Sequence, residues 1–235
     1  MNKKPRPGSQ KLEGIPFCSS HSGYWLMATG LLFLSTAPAE IIDRIAVSVG
    51  KHAIKSSDIE RDLRVTEFLN REPLNLTADA RRAAAERLID QALISDEIAD
   101  GGYLWPEDSD VNALLNQMRQ ERFGGSDVRL RQALAAYGLT EDQLRQEFEW
   151  QLQVLRFIDQ RFRAGVVVSD DEVHSYYEQH RADLARENPK NASLEALEPK
   201  IRQSLEGERI NQNFAQWLEE ARRRNRIQYH QEAFG

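Results

Sequence analysis

Catalysis needs a nucleophile, a base or a metal ligand set beside a partner, so the histidines are the first residues to weigh. There are five: His21, His52, His174, His180 and His230. None forms the H-E-x-x-H pattern that places two imidazoles on one helix face around zinc. His174 and Glu178 are four apart, a spacing that reads as a solvated helical pair. The chain carries no G-x-S-x-G elbow, no P-loop and no G-x-G-x-x-G turn. Asp170, Asp171 and Glu172 resemble a carboxylate cluster, but they fall in the first turn of an expected helix, where the backbone dipole favours negative charge. Arg222 to Arg224 end another helix by the opposite logic. Asn75-Leu76-Thr77 and Asn191-Ala192-Ser193 match the glycosylation sequon, a pattern short enough to arise by chance. No acid and base pair can be nominated. No catalytic residue, metal site or cofactor is expected.

Aromatic residues carry the only functional signal. Tyr103 and Trp105 flank an expected helix start, with Trp105 where a Ser or Asp cap would normally stand. With Met118 and Phe123 they would line an apolar, peptide-binding surface around that helix. A second candidate lies on the stretch from Thr140 to Phe162. At 100° per residue, Leu144, Phe148, Leu152, Leu155, Ile158 and Phe162 share a sector of ~120°. Trp150, Val154 and Phe157 form a second apolar face on the other side. Either that face packs under the late half of the last helix, against Phe214, Trp217 and Leu218, or it meets something outside the chain. The first arrangement is favoured for Trp150 and Phe157.

The elements that must position these residues can be read in order. Ile41 to Val49 is β-branched and mostly alternating, a strand that Gly50-Lys51-His52 turns. Ser57-x-x-Glu60 is a capping box for a helix that stops before Pro73. Thr77 caps a helix that ends at Gly101-Gly102. Pro106 sits where the first turn of a third helix is expected, and Asp127 opens a short one closed by Gly138. Thr140-x-x-Gln143 caps the two-faced helix. Ser169-x-x-Glu172 caps one that runs to about His180, and Asn188 to Asn191 reads as a loop. The last helix spans about Pro199 to Arg224. Its apolar face changes side at Gly207, from Leu194, Leu197, Ile201 and Leu205 to Ile210, Phe214, Trp217, Leu218 and Ala221. Ile227-Gln228-Tyr229 alternates and can pair with the opening strand. The expected fold is mainly α, one helical domain with a small two-stranded sheet formed by its two ends.

Of 235 residues, the first 39 read as a secretory signal and 40–235 as the domain. Lys3, Lys4, Arg6 and Lys11 precede an apolar run from Trp25 to Thr36, and Ala37-Pro38-Ala39 offers small residues for cleavage. The run is short for a spanning helix, which needs about 20 apolar residues; an uncleaved anchor is the alternative. Cleavage leaves 27 basic and 36 acidic side chains, a charge near −9, a poor match for nucleic acid or an anionic membrane. It also removes Cys18, the only cysteine, so no disulfide is expected even in an oxidising compartment.

The stretches DRIAVSVGKHAIKSSDIERDL, AERLIDQALISDEI, LRQALAAYGLTEDQLRQEFEWQLQVLRFIDQRF and VVVSDDEVHSYYEQH, with the closing SLEALEPKIRQSLEGERINQNFAQWLEEARRRNRI, resemble the N-terminal domain of SurA-type periplasmic chaperones and their parvulin-isomerase relatives. The resemblance covers nearly all of the chain after residue 39. It implies an ATP-independent holdase of the periplasm whose clients are unfolded outer-membrane polypeptides. In that family a parvulin domain is inserted after the VVVSDDEV helix. Here Ser169 and Ser193 are 24 positions apart, below the ~50 residues of even a small domain, so the isomerase is expected to be missing. Trp105-Pro106 departs from the family's polar cap. A prolyl isomerase is the competing enzyme reading. An envelope structural subunit, using the second apolar face for a fixed partner or a homodimer, is the third.

Overall fold

A computed structural model describes residues 43–187 and 192–234. The expected signal (1–39), Ile41 and Ile42 of the opening strand, the Asn188 to Asn191 loop and the Asn191 sequon position lie outside the described residues. Within them the chain is mainly helical, with a small sheet where its two ends meet.

That sheet has three strands, not the two expected. β1 (Ile45–Val49) is central, and Ala46, Val47 and Val49 are buried. β2 (His52–Lys55) doubles back on it through Gly50, whose φ of 53° suits a residue without Cβ. The expected turn, Gly50 to His52, overlaps only the first residue of this strand; with Ile54 alone buried among its four residues, the alternation is too weak to mark a strand in the sequence. β3 (Ile227–Tyr229) pairs antiparallel with the free edge of β1, giving the order β2-β1-β3.

Seven helices fill the interval between β2 and β3 in the described residues. α1 (Ser56–Asn70) begins before the expected Ser57 cap. Ser57 lies inside it and donates its N–H (3.1 Å) and hydroxyl (2.5 Å) to Asp43, while Asp58 accepts the Lys55 N–H at 3.0 Å. Asp43 is a tertiary partner that local spacing does not reveal. α2 (Ala78–Gly101) starts at Thr77 as expected, the hydroxyl accepting from the Ala80 N–H. α3 (Asp108–Phe123) has Glu107 at its cap, so Pro106 precedes the helix and Trp105 is no part of the cap. α4 (Asp127–Ala136) follows Ser126. α5 (Glu141–Phe162) carries the full Thr140–Gln143 box. α6 (Asp170–Glu187) continues well past His180. α7 (Leu194–Arg224) begins at the Ser193 cap, which places Pro199 inside the helix at the loss of one backbone bond.

Three apolar clusters follow from this order. The main one joins the sheet, α1, α2, the second half of α5 and the end of α7. A second joins the far end of α1, α3, α4 and the first half of α5. A third, of Val168, Val173, Tyr177, Leu197 and Ile201, holds α6 to the first half of α7. α7 therefore does change partner along its length: Leu197, Ile201 and Leu205 serve the third cluster, Phe214, Trp217, Leu218 and Ala221 the main one.

α5 is sandwiched. Leu144, Phe148 and Leu152 face the second cluster; Trp150, Val154, Phe157, Ile158 and Phe162 face the main one. Phe157 is fully buried, its ring 5.3 Å from that of Trp217 and 6.5 Å from that of Phe214. The single stripe read from the sequence is thus divided between two cores, and one member belongs to neither. Leu155 is 62% exposed.

Ion pairs tie the middle and the last turn of α7 to what lies beside them. Arg209 donates to the Val167 carbonyl and to Glu172, each at 2.5 Å. Arg222 bonds Asp90 at 2.6 Å and Glu86 at 2.8 Å, and Glu86 also accepts the Tyr229 hydroxyl at 2.6 Å. Burial and the Glu86 carboxylate push the Tyr229 phenol up to about 12. Arg222 does more than complement a helix dipole: with Tyr229 it clasps α7 and β3 onto α2.

Candidate functional site

Three of the side chains weighed for chemistry, Glu172, His52 and His180, have partners within the fold. Glu172 accepts the Ser169 N–H (2.8 Å) and hydroxyl (3.0 Å) as well as Arg209, and these bonds pull its pKa down to about 2. It is a cap. His52 bonds Asp96 at 2.8 Å, and His180 meets the Tyr176 carbonyl at 2.9 Å. Among the described residues no three His, Cys, Asp or Glu side chains are grouped to hold a metal ion. No described helix is long and apolar enough to cross a membrane.

The four residues proposed for peptide binding do not form one surface. Met118 faces the second core and is buried, because position 118 repeats the inward register of Val111 and Leu115. Tyr103 turns inward as well. Its ring stands edge-on to Phe157 at 5.0 Å, and its hydroxyl accepts from Arg161 at 3.2 Å. That ring lies across the end of α2 so closely that a Cβ on Gly101 would sit 2.2 Å from it. Gly101 is therefore required by the approach of Tyr103.

Tyr103 anchors a loop whose next two residues point out. Leu104 is 71% exposed and Trp105 63%. The loop backbone is fixed by Arg156 of α5, which donates to the Trp105 carbonyl at 2.6 Å and pairs with Asp110. A pair of large apolar side chains is thus held in water on a backbone secured at Tyr103 and Trp105. Nothing in the spacing of Leu104 separates it from a core leucine, so the sequence alone does not mark it as exposed.

Phe123 lies at the opposite end of α3. It is half-buried, its ring parallel to Phe68 within 5° at 6.5 Å, and it borders a cleft of about 380 Å³ with Arg71, Glu121, Arg122, Ala133 and Tyr137. Arg122 donates to the Leu69 carbonyl at 2.9 Å and closes one side. At 1.5 Å per residue the helix between the two patches is ~24 Å long. An extended chain covers that length in roughly seven residues.

Trp150, Val154 and Phe157 pack against the main core and do not offer a free face. Trp150 reaches a polar cleft between α1, α2 and α5, where Asp62 and Glu147 also lie. Burial raises the pKa of both carboxyls, although Arg87 bonds Asp62.

No protein-family model matches the chain. A Chaperone SurA from Chromobacterium violaceum is 30% identical to it over 141 residues, which take in 58% of this chain and 32% of that protein. The likeness to SurA is distant. The chain matches about a third of the length of this relative.

Proposed function

We propose that this chain is a chaperone module that holds unfolded polypeptide without ATP. The observation that carries the reading is the Leu104–Trp105 pair, exposed on a loop that Tyr103 and Arg156 pin in place. Large apolar side chains on a fixed backbone contribute contact area at little cost in ordering. The Phe123 cleft at the far end of α3 provides a second contact for the same extended client. The distant likeness to a SurA chaperone supports the same reading. The basic start, apolar run and Ala37-Pro38-Ala39 support export to the periplasm, where outer-membrane polypeptides are the matching clients.

Trp105→Ala tests the reading. Stability should change by about 0.5 kcal/mol or less, as at other exposed positions. Affinity for an unfolded outer-membrane protein should fall about tenfold, the effect of a moderate aromatic hot spot. A Trp105→Ala protein that melts normally and still suppresses client aggregation like the parent removes the loop from the site.

The module is proposed to be no enzyme. Only six residues separate Glu187, the last of α6, from Leu194, the first of α7, which supports the reading that no isomerase domain is inserted there. Cis/trans exchange of an X-Pro peptide should therefore run at its uncatalysed rate, over tens to hundreds of seconds. Acceleration that scales with the concentration of purified protein would reinstate the isomerase.

A further inference from the structure

In an antiparallel pair, residues alternate between those that turn both N–H and C=O to the partner strand and those that turn both away. The register of β3 on β1 sets Val49 opposite Ile227, Ser48 opposite Gln228 and Val47 opposite Tyr229. Gly50 donates to the Arg226 carbonyl at 3.1 Å, and His230 donates to the Ala46 carbonyl at 2.9 Å. Arg226, Gln228 and His230 are therefore the inward set. Ile227 and Tyr229 turn outward, presenting two N–H and two C=O groups with the ~6.8 Å repeat of alternate strand residues. The sheet ends there among the described residues, since its order is β2-β1-β3 and β2 occupies the other side of β1.

This edge is held rigid. The Tyr229 side chain, on the core side opposite Val47, is tied through its hydroxyl to Glu86 yet remains 42% exposed. Ile227 packs into the main core. Just before the strand, the Asn225 side chain donates to the Ala221 carbonyl at 2.9 Å. Exposed edges are usually blunted with Lys, Pro or a bulge, and Ile-Gln-Tyr contains neither of those residues. The group complementary to alternating N–H and C=O is another extended main chain, whatever its side chains.

We propose that the outer edge of β3 takes an extended segment of unfolded polypeptide as a fourth strand. The proposal rests on the polypeptide-binding reading and adds to it a contact made through backbone alone. Among the described residues a second copy of the chain offers only the short outer edges of β3 and β2, whereas an unfolded client continues past both ends and reaches further contacts.

The test is amide hydrogen exchange by NMR on the purified protein, alone and saturated with reduced, carboxymethylated lactalbumin, a chain that stays unfolded. Alone, the Gln228 and His230 amides should be protected and those of Ile227 and Tyr229 should exchange rapidly. With lactalbumin bound, exchange at Ile227 and Tyr229 should slow at least tenfold. Tyr229→Pro removes an outward N–H and leaves every bond to β1 in place; it should bind lactalbumin about tenfold more weakly than Tyr229→Phe, which keeps that N–H. If lactalbumin binds and the two amides exchange as before, the edge proposal falls while polypeptide binding stands. Protection that grows with protein concentration in the absence of lactalbumin assigns the edge to a second copy and overturns it. Absence of both binding and aggregation suppression removes the polypeptide reading, and the proposal with it.

Discussion

Phe157→Ala should lower stability by about 3–5 kcal/mol, at the top of the range for a single truncation. The ring has no exposed surface and is surrounded by Tyr103 at 5.0 Å, Trp217 at 5.3 Å and Phe162 at 5.7 Å. Those neighbours come from the α2–α3 loop, from α7 and from α5 itself, so they cannot close on the space without moving whole elements. In a domain of this size the melting temperature should fall by about 10 °C. Leu155→Ala, two residues away on the same helix but 62% exposed, should change stability by about 0.5 kcal/mol or less. Chemical denaturation of the two variants checks the pair. A Phe157→Ala loss under 1 kcal/mol would show that the α5–α7 packing is not as described.

Arg87→Leu should cost about 3 kcal/mol at pH 7, because it strands a carboxylate in a site with little water. The Asp62 side chain is only 10% exposed, and Arg87 grips it through two nitrogens. Removing one partner of such a pair leaves the other charge uncompensated; the partial exposure of Arg87 keeps the cost at the low end. The pH dependence has a definite sign. Burial already raises Asp62 above the ordinary aspartate value even with Arg87 present, so between that ordinary value and the raised one the folded state holds the proton more tightly than the unfolded chain. Asp62 therefore adds stability as pH falls through its folded pKa and subtracts it at neutral pH. Without Arg87 the folded pKa rises further, and the deficit of the variant should shrink as the solution is acidified toward pH 4. A deficit that is the same at pH 7 and pH 4 would mean that packing of the arginine stem, and not its charge, is what Asp62 loses.

The fold was legible where one local signal sufficed. Thr77, Thr140 and Ser169 each cap a helix, and the side change in α7 follows from periodicity alone. Partners distant in sequence were not legible. Asp43 captures Ser57 and moves the start of α1, and Arg156 holds the loop around Trp105. Neither contact leaves a trace in residue spacing. The same limit governs the candidate site. Trp105 stands out by type, but whether Tyr103 faced water depended on the Phe157 ring; Met118, by contrast, keeps the period of Val111 and Leu115, a local signal of its burial. Leu155 shows the converse. It keeps the helical period of its neighbours and yet falls beyond both cores.

The pairing of β1 with β3 joins residues about 180 positions apart, Val47 with Tyr229. Contacts of that span form late and slow folding. A chain delivered N-terminus first, by a ribosome or through a membrane pore, can assemble the second cluster as soon as residues 65–152 are available. The main core cannot close then, since Phe214, Trp217, Ala221 and Ile227 arrive last. Until they do, one whole edge of β1 stays unpaired. During its own synthesis this protein is open to the strand-to-strand aggregation that a polypeptide-holding module would prevent in others.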